Sequence, residues 1–143
     1  MSRATVELPA ATRAFLARPH TATLATLTTL RPDGTPHVTP VRFTFDAATG
    51  LVRVTTRARA RKARNVAAGG PAARAALCQA DGFRWVTLEG RAAVTDDPVR
   101  LAEAERRYTV RYRAAPPAPP APPAPPDLIV VEIAVDRVLS LNF

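Results

Sequence analysis

Thr55-Thr56-Arg57-Ala58-Arg59-Ala60-Arg61-Lys62-Ala63-Arg64-Asn65-Val66 is the stretch around which the rest of the chain is organised. Before it, Leu51-Val52-Arg53-Val54 alternates and is β-branched, the pattern of a strand. After its hydroxyls, residues 58–68 contain neither Pro nor Gly and are stopped by Gly69-Gly70-Pro71, so a strand is expected to hand over directly to a helix. A helix N-terminus projects unpaired N–H groups and carries a partial positive charge. Arg57, Arg59, Arg61, Lys62 and Arg64 crowd that end, and Thr55 and Thr56 add hydroxyl donors, a combination suited to a phosphate. The same residues also read as a solvated basic face, and nothing in them selects the anion.

Composition bounds the rest. At 143 residues with 47% apolar side chains, the chain has the size of a single folded domain, taken as residues 1–143. The formal charge is 20 − 12 = +8, and every cation but Lys62 is an arginine. An Arg- and Ala-rich composition follows genome bias as readily as function, so the charge alone is weak evidence for nucleic acid. None of the eight aromatics lies among the cations of the basic stretch, residues 57–64, as a single-strand stacking platform there would require. One cysteine excludes an internal disulfide and an all-cysteine metal cluster, and Cys78, within Ala75-Ala76-Leu77-Cys78, reads as a buried inert thiol. No apolar run reaches eighteen residues and the start lacks a signal-peptide layout, so a cytoplasmic protein is expected, with no membrane and no nucleic acid among its partners.

Outward from the organising stretch, residues 8–17 suit a short helix with Leu8, Thr12, Phe15 and Leu16 on one side. Residues 21–30, rich in Thr and Leu, suit a strand covered on both faces, and Arg31-Pro32-Asp33-Gly34-Thr35 suits a turn. A second strand is expected over residues 36–45, with Val41, Phe43 and Phe45 on one face, and Pro40 marking an edge or a bulge. With the strand before the basic helix it forms a three-stranded meander. Residues 74–80 and 83–95 form a strand pair about Asp81-Gly82, placing Trp85 on the polar face, where an indole needs a cover. Asp96 or Asp97 then caps a helix that ends near Ala115. Residues 116–126 form a Pro/Ala connector of polyproline type, and residues 128–135 a final strand.

This order describes an α+β fold, a small antiparallel barrel of about six strands with flanking helices. Three features carry a family resemblance: Pro36-His37-Val38-Thr39-Pro40-Val41, the spacing from Thr56 to Lys62 followed by Ala63-Arg64-Asn65, and Leu88-Glu89-Gly90-Arg91-Ala92. On these residues the chain resembles the pyridoxamine 5'-phosphate oxidase-like split β-barrel family, in its deazaflavin (F420)-dependent branch. The resemblance implies a homodimer with cofactor clefts between subunits and an oxidoreductase that moves a hydride between reduced F420 and a small unsaturated substrate. It implies that backbone at Thr39, Pro40 and Val41 lines the cofactor ring and that Thr56, Arg61 and Lys62, with Thr55 and Arg57 nearby, hold its phosphate. Trp85 would close the site from the facing subunit. FMN is the alternative cofactor, giving a flavin reductase or flavin-binding stress protein. Ala60 departs from the Ser that usually precedes the Arg-Lys pair in FMN oxidases. The substrate-binding C-terminal extension of true pyridoxamine phosphate oxidases is absent, so vitamin B6 oxidation is not expected. His20 and His37 lack spaced partners for a triad or a metal, and no metal is expected.

Overall fold

Only two residues, Arg42 and Phe43, separate strand β2 (Pro36–Val41) from strand β3 (Thr44–Asp46), yet these strands are the opposite edges of one seven-stranded antiparallel sheet. A three-bond step spans at most about 11 Å at 3.8 Å per residue. The two edges therefore stand side by side and the sheet is curled into a barrel, split where β2 and β3 fail to pair. The computed structural model describes residues 6–19, 24–113 and 126–141. The sheet order is β2-β1-β5-β6-β7-β4-β3, with β1 Ala25–Leu30, β4 Leu51–Arg57, β5 Arg74–Asp81, β6 Arg84–Thr95 and β7 Leu128–Leu141. The helices are α1 (Ala10–Ala17), α2 (Arg61–Gly69) and α3 (Pro98–Tyr112).

The barrel interior is aliphatic. Leu27, Val52, Leu77, Val86, Leu88 and Ile133 are fully buried there, and Phe15 and Leu16 of α1 and Ala63 and Val66 of α2 join the same cluster. Outside, α3 lies over β3, β4 and β7, which is why Val130 and Glu132 are buried as well as their inward neighbours Val131 and Ile133. Asp97 caps α3, its carboxylate accepting from the Val99 N–H at 3.1 Å.

Several expectations change. The strand expected over residues 36–45 is two strands, so the sheet has seven rather than about six. The three-stranded meander does not form: β2 pairs with β1, whereas β4 pairs with β3 and β7. Register runs unbroken through Pro40, opposite Thr26, so this proline marks an edge and not a bulge. β1 is covered on one face only, with Thr26 and Leu30 exposed. Cys78 is half-buried, because it stands on the outer face of β5 while Leu77 and Gln79 point inward. α2 starts at Arg61 rather than at residue 58, because Arg57 still pairs with Leu128 and the Ala58 N–H donates to Asp127 O at 2.9 Å. β7 runs on to Leu141, and the helix expected to reach Ala115 is described to Tyr112. The proline connector, bar Pro126, and the start of the strand expected from residue 21 lie outside the described residues.

The split is stitched from outside. Tyr112 Oη donates to Phe43 O at 2.7 Å and accepts from Phe43 N–H at 3.1 Å, and Arg111 Nη1 donates to the same carbonyl at 2.7 Å. Arg111 Nε donates to Arg18 O at 3.2 Å, so one guanidinium joins the end of α1 to the gap between the edges. It is 5% exposed and stacks 4.5 Å from the Phe43 ring.

Gly90 sits at the register shift between β6 and β7, where a Cβ would lie 1.9 Å from Ala134 O. Gly90→Ala must displace backbone, so a loss of about 3 kcal/mol, at the upper end of overpacking costs, is expected in denaturant unfolding. Acid should loosen α3. Hydrogen bonds from Arg106 and Arg107 hold the Glu103 carboxyl down at about 2, and Arg107 also reaches Asp46 at 3.0 Å. Burial pushes Asp46 up, but Thr49, Arg107, Arg53 and the Ala48 N–H together bring it below its ordinary value. Both carboxyls titrate lower folded than unfolded. Their contribution is therefore complete above about pH 4.5 and is lost as pH falls toward 2. The melting temperature should decline across that window, and less steeply in Glu103→Gln.

Candidate cofactor site at the head of the basic helix

α2 bridges what the sheet order separates. It leaves the end of β4, near one edge, and packs against β1 and β2 at the other. Asn65, 4% exposed, anchors it: Nδ2 donates to Thr29 Oγ1 at 3.0 Å. Lys62, Asn65 and Val66 lie three and four residues apart and so share a face. That face turns toward β1 and β2, and Lys62 and Arg61 act electrostatically on His37 of β2.

The cations are not equivalent. Asp127, directly before β7, takes Arg57 through Nε at 2.9 Å and lies 3.9 Å from Arg59 Nε. Hydrogen bonding from Arg57 holds the Asp127 carboxyl below its ordinary value. Arg61, Lys62 and Arg64 form no side-chain hydrogen bond or ion pair with another described residue. Arg61 is the first residue of α2, Ala60 is its N-cap, and no side chain caps it, so the first N–H groups remain available. Sequence reasoning treated five cations as one cluster. Asp127, beyond the proline run, divides it, and no local pattern announces that pairing.

The other anticipated residues are dispersed. Thr55 and Thr56 are consecutive in β4 and point to opposite faces, Thr56 inward with its ladder partner Ile129 and Thr55 outward with Val130. They cannot serve one ligand atom together. On β2, Thr39 and Val41 face inward with His37, and Pro40 faces out beside the unpaired edge. Trp85, half-buried on the outer face, pairs with Ala80 and Leu141. It is ten residues along β6 from Thr95, which is aligned through Val130 with Thr55, a separation of roughly 30 Å at 3.3 Å per residue. Within one chain, Trp85 and the α2 terminus do not meet.

Clefts formed by the described residues lie beside these positions, not over them. A groove of about 470 Å³ runs behind α2, lined by Thr29, Arg31, Asn65 and Ala73. Another, of about 370 Å³, lies between α2 and β6, lined by Ala63, Ala67, Val94 and Ile129. Neither contains Arg61, Lys62, Thr39 or Pro40, and the charge distribution is the better guide to an anion site because it rests on unpaired donors. Among the described residues, no cluster of His, Cys, Asp and Glu could hold a metal. No described helix is long and apolar enough to cross a membrane.

Known proteins agree with this architecture. A reductase of Mycobacterium tuberculosis (strain CDC 1551 / Oshkosh), described as a biliverdin reductase dependent on reduced F420, is 44% identical over 127 residues, 89% of this chain and 83% of its own. A solved structure described as an F420 reductase superposes with a TM-score of 0.67 at 25% identity, covering 92% of this chain and 98% of the other. General Stress Protein 26 of Bacillus anthracis shares the fold, with a TM-score of 0.61 at 16% identity over 83% of this chain and 84% of its own. The family model described as pyridoxamine 5'-phosphate oxidase matches residues 8–142, and the chain belongs to that family of split β-barrels.

Proposed function

We propose that this protein is an F420-dependent oxidoreductase that reduces a conjugated, linear tetrapyrrole-like substrate of the biliverdin kind. The observation that carries this reading is the 44% identity, across nearly the whole barrel, to a reductase described in those terms. The site chemistry fits the cofactor. Arg61 and Lys62 offer two uncommitted cations at an uncapped helix start, the donor set that a phosphate takes. Arg64, also uncommitted, suits a polyanionic tail better than a single phosphate. Ala60 lacks the hydroxyl donor that the Ser of FMN oxidases supplies before the Arg-Lys pair.

Reduced F420 supplies the hydride when bound, and the protein's own residues bind and orient. Arg61 and Lys62 fix the phosphate, Thr56 stands at the inward side of the same approach, and the free edge of β2 presents the Pro40 carbonyl, between Thr39 and Val41, to the ring. Thr55 and Arg57 take lesser parts, one turned to the opposite face and the other bound by Asp127. Trp85 acts from a second subunit. In support, the outer face carries exposed Leu30, Val38, Leu139 and Leu141 around Thr26, Cys78 and Trp85, an apolar surface that a homodimer would cover.

Titration of the purified protein with F420 and with FMN tests the cofactor, and bleaching of biliverdin in the presence of reduced F420 tests the reaction. Lys62→Ala or Arg61→Ala should weaken F420 binding roughly ten- to a hundredfold, and Arg59→Ala less than about threefold. Equal losses at all three positions, erased by salt, would make the helix a general basic surface. Light scattering should give a dimer, and a monomer at micromolar concentration would leave Trp85 without a site.

A further inference from the structure

His37 stands beside the uncommitted cations. Its ladder partner on β1 is Thr29, whose hydroxyl accepts from Asn65 of α2, so the imidazole lies next to the contact that docks the helix. Strand alternation turns His37, Thr39 and Val41 to one side, toward α2. Ring Nδ1 is buried and has no hydrogen-bond partner among the described residues. The residue as a whole is half-buried, so Nε2 is the nitrogen left at the surface. The charged groups acting on the ring are Arg31 of the β1–β2 turn and Lys62 and Arg61 of α2. Thr29 and Thr39 are uncharged, and no described carboxylate acts on it.

Two chemical consequences follow. A proton on Nδ1 would be a buried donor without an acceptor, which costs more than leaving a bare lone pair there. The neutral ring therefore carries its proton on Nε2. Burial first, then Arg31, Lys62 and Arg61, lower the titration of this histidine below its ordinary 6.5, so the ring stays neutral at physiological pH. A further cation would add repulsion among groups already positive, whereas a neutral N–H adds a directed hydrogen bond and no charge.

We propose that His37 is a cofactor-binding residue, a neutral imidazole that donates a hydrogen bond from Nε2–H to the phosphate held by Arg61 and Lys62. This rests on reading the head of α2 as the phosphate site.

The test combines F420 titration of the wild-type protein, His37→Ala and His37→Gln with nitrogen NMR of the wild-type ring. Loss of the donor in His37→Ala should weaken F420 binding about tenfold, while His37→Gln, whose amide can still donate, should stay within about threefold. The ring should show the Nε2–H tautomer at pH 7, titrate below 6.5, and shift at Nε2 when F420 is added. Binding by both variants equal to wild type, an unmoved Nε2 signal, or an imidazolium at pH 7 would overturn the assignment while leaving F420 dependence standing. Failure of the wild-type protein to bind F420 would remove both. The NMR measurement needs no variant, so it decides the matter even where His37→Ala folds poorly.

Discussion

The two-residue link between β2 and β3 is the constraint on which the structure depends. A flat sheet in this strand order would hold its edges six strand spacings apart, roughly 29 Å at 4.8 Å each, far beyond the reach of Arg42 and Phe43. The sheet must curl, and its inward residues then become a closed aliphatic core. The cost is a gap where Phe43 has no ladder partner. A buried peptide without hydrogen bonds is strongly disfavoured, and Arg111 and Tyr112 of α3 remove that penalty. Arg111 needs no carboxylate: two carbonyls, one at the end of α1 where the helix dipole is negative, and two aromatic rings surround its charge.

The same curling sets up the candidate site. Because the edges meet across a split, a nine-residue helix leaving β4 can dock on β1 and β2. The Asn65–Thr29 hydrogen bond fixes that docking and so sets Lys62 toward the free edge of β2. Asp127 performs a complementary task. By taking Arg57, and weakly Arg59, it leaves the uncommitted charge at the helix start rather than along the approach to it. The distribution of uncommitted charge thus depends on a residue seventy positions away from Arg57 in the chain.

The kinds and order of elements were legible in the sequence because they depend on local patterns. The turn over residues 31–35 forms as its Pro and Gly suggest, with Gly34 at φ 85°, and β6 alternates with Val86, Leu88 and Ala92 inside. What escaped is non-local. Val41, Phe43 and Phe45 keep a period of two through the break between β2 and β3, so nothing nearby marks the change of edge. Thr55 and Thr56 read as donors at one helix end from their adjacency in sequence, but strand alternation continues through them to Arg57 and turns the two hydroxyls to opposite faces. Cys78 looked buried from its apolar neighbours, but which face of β5 is covered depends on where α3 lies. The family resemblance brought Arg61 and Lys62 forward and set Arg59 apart from them, and the fold adds the carboxylate of Asp127 that takes up Arg57.

α3 also divides the outer surface of the barrel. It covers β3, β4 and β7 where Glu132 is buried and paired with Arg100 at 2.5 Å, and leaves β2, β1, β5 and the first half of β6 uncovered. The uncovered half carries Val38, Leu30, Leu139 and Leu141, while charged residues gather under and along the helix. β2 sits on the boundary between these regions. Its inward face offers His37 and Thr39 to α2, its outward face offers Val38 and Pro40 to the apolar surface, and its unpaired edge offers backbone to whatever lies between. Pro36 and Pro40 remove two of the edge donors, which lowers the tendency of this strand to recruit another strand at random. An edge protected in that way can remain open for a ligand, and a strand with one face toward a cation-bearing helix and the other toward an apolar surface suits a ligand with an anionic end and a planar one.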